Sequence, residues 1–202
     1  MDINPNDWNL ILVNKNHLLS SGFDVDIDLI SKDYLITDSA NRFDVRALPY
    51  LLDMIDSAKD DGIGIYITSA YREYDYQRSL FNSKVNEFMY DGYSRYKAET
   101  AAAQYVAIPG SSEHCTGLAV DLVSRYWYDY NDDLTENFES TAEFRWLNEH
   151  AQEYGFILRY PKDKESITQI SYEPWHYRYV GVQHATEIKR LGITLEEYLG
   201  ED

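Results

Sequence analysis

The chain has 202 residues, 44% hydrophobic and 15% aromatic, enough for one well-buried core and short for two full domains. Its 35 Asp and Glu against 18 Lys and Arg give a formal net charge of -17, a field that repels phosphate backbones and anionic lipid and argues against nucleic acid as a partner. The single cysteine, Cys115, excludes an intramolecular disulfide and a Cys-rich metal cluster, and no apolar run reaches the roughly 20 residues of a membrane span.

Residues 1–7 are polar with an early proline and form a loose lead-in, without the basic start and apolar middle of a signal peptide. The apolar run at 8–13 predicts a strand, 14–17 a turn, and the Asp- and Ser-rich segment 20–41 short irregular strands over the surface. Within 44–61, Leu48, Leu51, Leu52 and Ile55 recur at i, i+3, i+4 and i+7, the stripe of an amphipathic helix, with Gly62 as its C-cap. Residues 63–68 alternate and are β-branched, predicting a strand that delivers Ser69, Ala70, Tyr71 and Arg72 to its end. Phe81, Val85, Phe88 and Met89 mark a second helix broken at Asp91-Gly92-Tyr93, and the alanines of 98–106 a third that stops before Pro109-Gly110. Residues 118–122 read as a buried strand carrying Asp121, and 125–140 as a surface loop. Phe144, Leu147, Ala151 and Tyr154 restore helical spacing up to Gly155. A strand at 156–160, a charged turn at 161–165, an extended piece at 167–170, a strand at 173–180 and helices at 188–199 broken at Gly192 complete the chain. The expected fold is α+β, one domain over 1–202, its helices preceding and packing on a mainly antiparallel sheet with the site in a cleft.

Two stretches carry the chemistry: Ser112-Glu113-His114-Cys115-Thr116-Gly117-Leu118-Ala119-Val120-Asp121 and Glu173-Pro174-Trp175-His176. A catalytic zinc site uses three His or carboxylate ligands and keeps one position open, whereas a structural site closes all four, often with cysteines. His114, Asp121 and His176 suit the open kind, and Glu173 suits the base that activates a water there. Two imidazoles and one carboxylate leave the site near +1, so a bound water could have a pKa of about 7 against about 15.7 in bulk. Glu173 and His176 are three apart and would fall on opposite faces of a regular strand, but Pro174 cannot donate to a ladder and predicts a bend there. Each motif alone reads equally well as a surface acid or a packed histidine; together they match an open site.

Arg72 reads either as a surface salt-bridging arginine or as the cation that an anionic substrate needs in so acidic a protein, holding a carboxylate or an oxyanion. Tyr74, Gln77, Ser112 and Trp175 are candidate pocket residues, equally explicable as packing or loop hydrogen bonding. His17, His150 and His184 lack ligand spacing and are read as non-ligands.

These motifs, with Ser69-Ala70-Tyr71-Arg72, Tyr154-Gly155-Phe156-Ile157-Leu158-Arg159-Tyr160-Pro161 and Tyr172 to Gly181, resemble the zinc D-alanyl-D-alanine carboxypeptidases of the VanY type and the related LD-carboxypeptidases and VanXY-type dipeptidase/carboxypeptidases. The flanks at 10–15 and 194–199 are similar too, so the resemblance spans nearly the whole chain. It implies hydrolysis of the terminal D-alanine bond of peptidoglycan stem peptides. His114, Asp121 and His176 would be the ligands of one zinc ion, Glu173 the base and Arg72 the transition-state or carboxylate contact. The chain departs from the family at Cys115, where Gln is usual, and at Gln169, where Gly is usual. The resemblance implies an extracytoplasmic, cell-envelope location behind an export or anchor segment, with the cytosol of VanXY-type members as the alternative, and a monomer is expected. The rival activities are a D-Ala-D-Ala dipeptidase or an L,D-carboxypeptidase on the same site. From other classes, a non-haem Fe(II) oxygenase would share the two-His-one-carboxylate triad but have no use for Glu173. A non-catalytic zinc-containing cell-wall binding domain should lack the base or the arginine.

Overall fold

The structure, a computed structural model, describes residues 4–5, 7–131 and 134–201. Residues 1–3 and 6 of the expected lead-in, and 132–133 of the expected loop, lie outside the described residues. Two short strands, β1 (Ile27–Leu29) and β2 (Arg42–Asp44), pair antiparallel within the irregular amino-terminal third. The helix α1 (Leu48–Asp60) then leads into β3 (Tyr66–Ser69). A helical pair, α2 (Tyr74–Tyr90) and α3 (Arg95–Ala102), precedes β4 (Ala119–Val123), α4 (Arg125–Tyr130) and α5 (Ala142–His150). The chain ends with β5 (Phe156–Leu158), α6 (Glu165–Thr168), β6 (His176–Tyr179), α7 (Val182–Leu191) and α8 (Leu195–Leu199). The main sheet has the order β3-β4-β6-β5 and every neighbouring pair is antiparallel. Helices and strands alternate along the chain; they do not form a helical block followed by a sheet.

α1 forms where the apolar spacing places it. Leu48, Leu51, Met54, Ile55 and Ala58 are buried, and they pack with Ile67, Val120, Leu122, Phe156 and Tyr177 of the sheet into the largest core cluster. Each large apolar side chain so buried contributes about 2 kcal/mol. The helix stops at Gly62, whose φ of +80° lets its N–H reach the Lys59 carbonyl while the Ile63 N–H reaches Ala58, a Schellman ending. On the other side, Ile157, Val180, Ile188 and Leu195 join the sheet to α7 and α8. α2 and α3 form a separate layer around Phe81, Val85, Ala98 and Ala102, which stands as one wall of a cleft.

Four expected elements differ, each for a visible reason. Residues 8–13 form turns and irregular chain, because the carbonyls of Asn9 and Ile11 accept hydrogen bonds from the Arg178 guanidinium and not from a neighbouring strand. Residues 125–140 are not a surface loop: Ser124 caps α4 through the Trp127 N–H, and Trp127 and Phe138 pack edge to face below it. Residues 165–168 form the one-turn helix α6, ended by Gln169 in the left-handed region at φ +61°. The strand expected over 173–180 pairs only from His176 to Tyr179, since the His176 N–H turns back to the Glu173 carbonyl at 3.2 Å.

Candidate metal centre and cleft

Strand register brings the site together. Asp121, on central β4, is the direct partner of His176 on β6, so two side chains 55 residues apart stand side by side on one face. His114 comes from the 3-10 turn Glu113–Thr116, which closes at Gly117 with φ +72°. A Cβ at Gly117 would lie 2.9 Å from Val25 Cγ1 and 3.2 Å from the Asp44 nitrogen, so both the backbone angle and the space call for glycine. The Arg72 N–H pins this turn to the strand end by donating to the His114 carbonyl at 3.0 Å.

His114 Nε2 lies 3.2 Å from Asp121 Oδ2, and His176 Nδ1 lies 2.9 Å from Asp121 Oδ1. All three side chains are buried, and one donor atom from each falls within 4.8 Å of the others. This donor set fits a borderline divalent ion such as zinc: two imidazoles, one carboxylate and no thiolate. The outer nitrogen of His114, Nδ1, donates to the Ala70 carbonyl at 2.8 Å, which fixes the tautomer that leaves Nε2 free for a metal. Burial alone would raise Asp121, but the two histidines outweigh it and hold the carboxylate well below its ordinary range. Burial lowers His114. It also lowers His176, but there the hydrogen bond to Asp121 and the nearby carboxylate of Glu113 prevail and carry the metal-free imidazole up to about 9.

Glu173 sits one turn before β6, its Oε2 3.8 Å from His176 Nδ1, so the bend at Pro174 turns both residues toward one cleft. Burial pushes its carboxyl up to about 7, partly offset by His176, which suits a group that must take and return a proton near neutrality. Arg72 lines the same cleft of about 590 Å³. Its Nη1 donates to Gln77 Oε1 at 2.8 Å and its Nη2 to Ser69 Oγ at 3.0 Å. Both acceptors are neutral, and among the described residues no carboxylate pairs with this guanidinium. Ser112 and Trp175 line the cleft, the first buried and the second half-buried. Gln77 is fully buried with both amide ends engaged, the second donating to the Ala107 carbonyl at 2.8 Å, which makes it a holder of Arg72. Tyr74 opens α2 and is not among the residues lining the cleft.

With this geometry in place, a family comparison is decisive: the model for VanY, D-alanyl-D-alanine carboxypeptidase, matches residues 40–182. The chain belongs to the VanY family. A D-alanyl-D-alanine carboxypeptidase of Enterococcus faecalis is 39% identical over 198 residues, 97% of this chain and 67% of that protein. A crystal structure of a vancomycin-resistance D,D-pentapeptidase VanY mutant in complex with Zn(II) is 40% identical, covers 96% of this chain and 99% of that one, and superposes with a TM-score of 0.75. The LdcB LD-carboxypeptidase is 37% identical, covers 99% and 94% of the two chains, and has a TM-score of 0.82.

The two departures expected from the resemblance fall in different places, Cys115 off the cleft and Gln169 on its wall. Cys115 packs with Val13 and Leu19, away from the cleft, and burial raises its thiol to about 11, so it is an inert apolar side chain. Gln169 occupies a left-handed position that glycine adopts without strain. His17, His150 and His184 lie elsewhere, beside Glu201, Glu153 and Tyr198.

Sequence reading missed a buried ionic cluster behind the metal centre. Glu113 Oε1 accepts from Arg159 Nε at 2.8 Å and Arg178 Nη1 at 2.7 Å, and Arg159 forks onto Glu196 at 2.8 and 2.6 Å. All four are essentially inaccessible to solvent. Burial would raise Glu113, but the two arginines outweigh it and keep it ionised far below the ordinary range. The sequence signal was present: Arg159 directly follows the apolar run Phe156-Ile157-Leu158 and Arg178 stands between two tyrosines of β6, positions where a charge implies a buried partner.

Proposed function

We propose that the protein is a zinc-dependent D,D-carboxypeptidase that removes the terminal D-alanine from peptidoglycan stem peptides. The observation that carries the reading is the convergence of His114, Asp121 and His176 with Glu173 and an Arg72 that no carboxylate of the described residues pairs, in one cleft. When bound by the three ligands, zinc supplies a Lewis acid that polarises the scissile carbonyl and acidifies water. Glu173 takes a proton from the attacking water as its oxygen bonds to the carbonyl carbon, and returns that proton to the amine of the departing D-alanine as the C–N bond breaks. Arg72, preset by Gln77 and Ser69, holds the substrate's terminal carboxylate and supplies the local cation that a chain of net charge -17 otherwise denies an anionic ligand. Gln77 acts through Arg72, while Ser112 and Trp175 shape the wall against which the peptide lies.

The same donors serve an L,D-carboxypeptidase, a second reading favoured by the likeness to LdcB. No helix among the described residues is long and apolar enough to cross a membrane. An extracytoplasmic site of action follows from the substrate proposed, and the chain is taken to act as a monomer. The test is to incubate zinc-loaded protein with tetrapeptide, pentapeptide and free D-Ala-D-Ala and to identify products by mass spectrometry. Cleavage of the pentapeptide supports the first reading, cleavage of the tetrapeptide alone the second, and cleavage of neither rejects both. Glu173→Ala should keep zinc and lose at least about 10²-fold in turnover; a variant as fast as wild type would remove Glu173 from the mechanism.

A further inference from the structure

We infer that Glu113 is a positioning residue for the metal: its Oε2 accepts the Nε2–H of His176 and holds that imidazole in the tautomer that leaves Nδ1 free to bind. The inference rests on the reading of His176 as a ligand and adds a reason why that ligand is competent.

The observation is a pair of orphans. Among the described residues, buried His176 Nε2 and Glu113 Oε2 both lack a hydrogen-bond partner, and they lie 3.7 Å from one another. Buried polar atoms are almost always satisfied, so two unsatisfied ones in mutual reach call for a common explanation. Closing by about 1 Å would bring them to ordinary N–H···O distance. Nδ1 of the same ring faces Asp121 at 2.9 Å, on the metal side. A ring that gives Nδ1 to a metal must carry its proton on Nε2, where Glu113 is the acceptor on hand.

Glu113 has little choice of direction. Two guanidinium groups converge on its Oε1, from Arg159 and Arg178, and this fork sets the plane of the carboxylate with Oε2 toward His176. Arg159 also donates twice to Glu196, and Arg178 to the carbonyls of Asn9, Ile11 and Tyr179. Two carboxylates and two guanidiniums sum to zero, so the cluster supplies a fixed anion to His176 without adding net charge beside the metal. His114 meets the matching need with a backbone carbonyl, Ala70, at 2.8 Å. The two imidazoles are thus oriented by acceptors of unequal strength. Removing such an outer partner typically costs 10–100-fold in metal affinity.

A purely structural role, neutralising two buried arginines, is the competing account, and Glu113→Gln separates the two. The amide oxygen can still accept from both arginines, which leaves the NH2 facing His176 Nε2. A donor there drives the imidazole proton to Nδ1, the nitrogen the metal needs. Zinc affinity, read by competition with a chromophoric chelator, should fall about 10- to 100-fold. In the zinc-loaded protein the His176 ring should show the Nε2–H nitrogen-15 pattern, and in Glu113→Gln the shift of that Nε2–H should move as its carboxylate acceptor is lost. Glu196→Gln, which weakens the same cluster without touching His176, should leave zinc affinity within about twofold. The proposal is overturned if Glu113→Gln binds zinc like wild type, if the His176 Nε2–H shift of the zinc-loaded protein does not move, or if Glu196→Gln loses as much affinity. Should Glu113→Gln not fold, the zinc-loaded wild-type spectrum decides: a His176 ring with its proton on Nδ1 overturns the assignment. Failure of the metal-site reading itself would look different, as His176→Ala would then retain zinc.

Discussion

Gln77 offers a sharp test of how the cleft holds its cation. Replacing it with leucine roughly keeps the buried volume and removes two hydrogen bonds, one from Arg72 Nη1 and one to the Ala107 carbonyl, both of 2.8 Å. Hydrogen bonds to charged groups contribute about 1.5–3 kcal/mol, but Arg72 is half-buried in an open cleft and water can replace its lost acceptor, so about 1 kcal/mol is the better figure. Loss of the partner for Ala107 adds about 1 kcal/mol, and a urea titration should show the protein about 2 kcal/mol less stable. The kinetic effect should be larger than this suggests. With only Ser69 Oγ holding it, the guanidinium swings, and a misplacement of about 1 Å can cost about 10²-fold. We therefore expect kcat/KM for peptides with a free terminal carboxylate to fall about 10- to 100-fold in fully folded protein. On an Arg72→Ala background the same change should add nothing, since Gln77 acts only through Arg72. The reasoning fails if Gln77→Leu stays within twofold of wild type, or if its effect persists without Arg72.

Gln169→Gly should stabilise the fold by about 0.5–1 kcal/mol, relief of a left-handed non-glycine (about 1–2 kcal/mol) less the greater chain entropy of glycine (about 0.5–1 kcal/mol), and a lower Tm would contradict this. Gly117→Ala should cost about 2–3 kcal/mol in denaturant and weaken zinc binding, because strain and a Cβ crowded by Val25 and Asp44 act on the turn that carries His114; a neutral result would show that the turn can relax. In the metal-free protein His176 is raised to about 9, so zinc must displace its proton. Apparent affinity should climb roughly tenfold per pH unit between pH 7 and 9 and then level, and a flat profile by chelator competition would count against it. For the metal-free fold the same shift has the opposite sense: its contribution to stability is full below the unfolded value of about 6.5 and fades as pH rises through about 9.

The site was more legible than the fold around it. His114, Asp121, His176 and Glu173 could be named because few residue types bind zinc or move protons, and a chain with five histidines and one cysteine leaves few combinations. α1 was legible because its stripe and its terminal glycine obey local rules. Local rules failed where a distant side chain decided the outcome. Residues 8–13 look like a strand, yet Arg178 takes their carbonyls; residues 125–140 look solvated, yet Trp127 and Phe138 find a shared pocket. Gln77 stayed open between a pocket residue and a packing or loop hydrogen bond because sequence does not say which way an amide points. Glu113 was invisible for the same reason, being adjacent to His114 in sequence but serving His176 across the sheet.

The pairing of Asp121 with His176 makes the finished sheet a precondition for chemistry. The ligands come from a turn and two strands, the last of them 55 residues beyond the second, and they meet only once β4 has taken β6 as its neighbour in the correct register. A slip of one residue would turn Asp121 to the opposite face and dissolve the donor set. A nascent or half-folded chain therefore lacks the donor set altogether, so under the proposed hydrolysis of stem peptides folding serves as the safety catch.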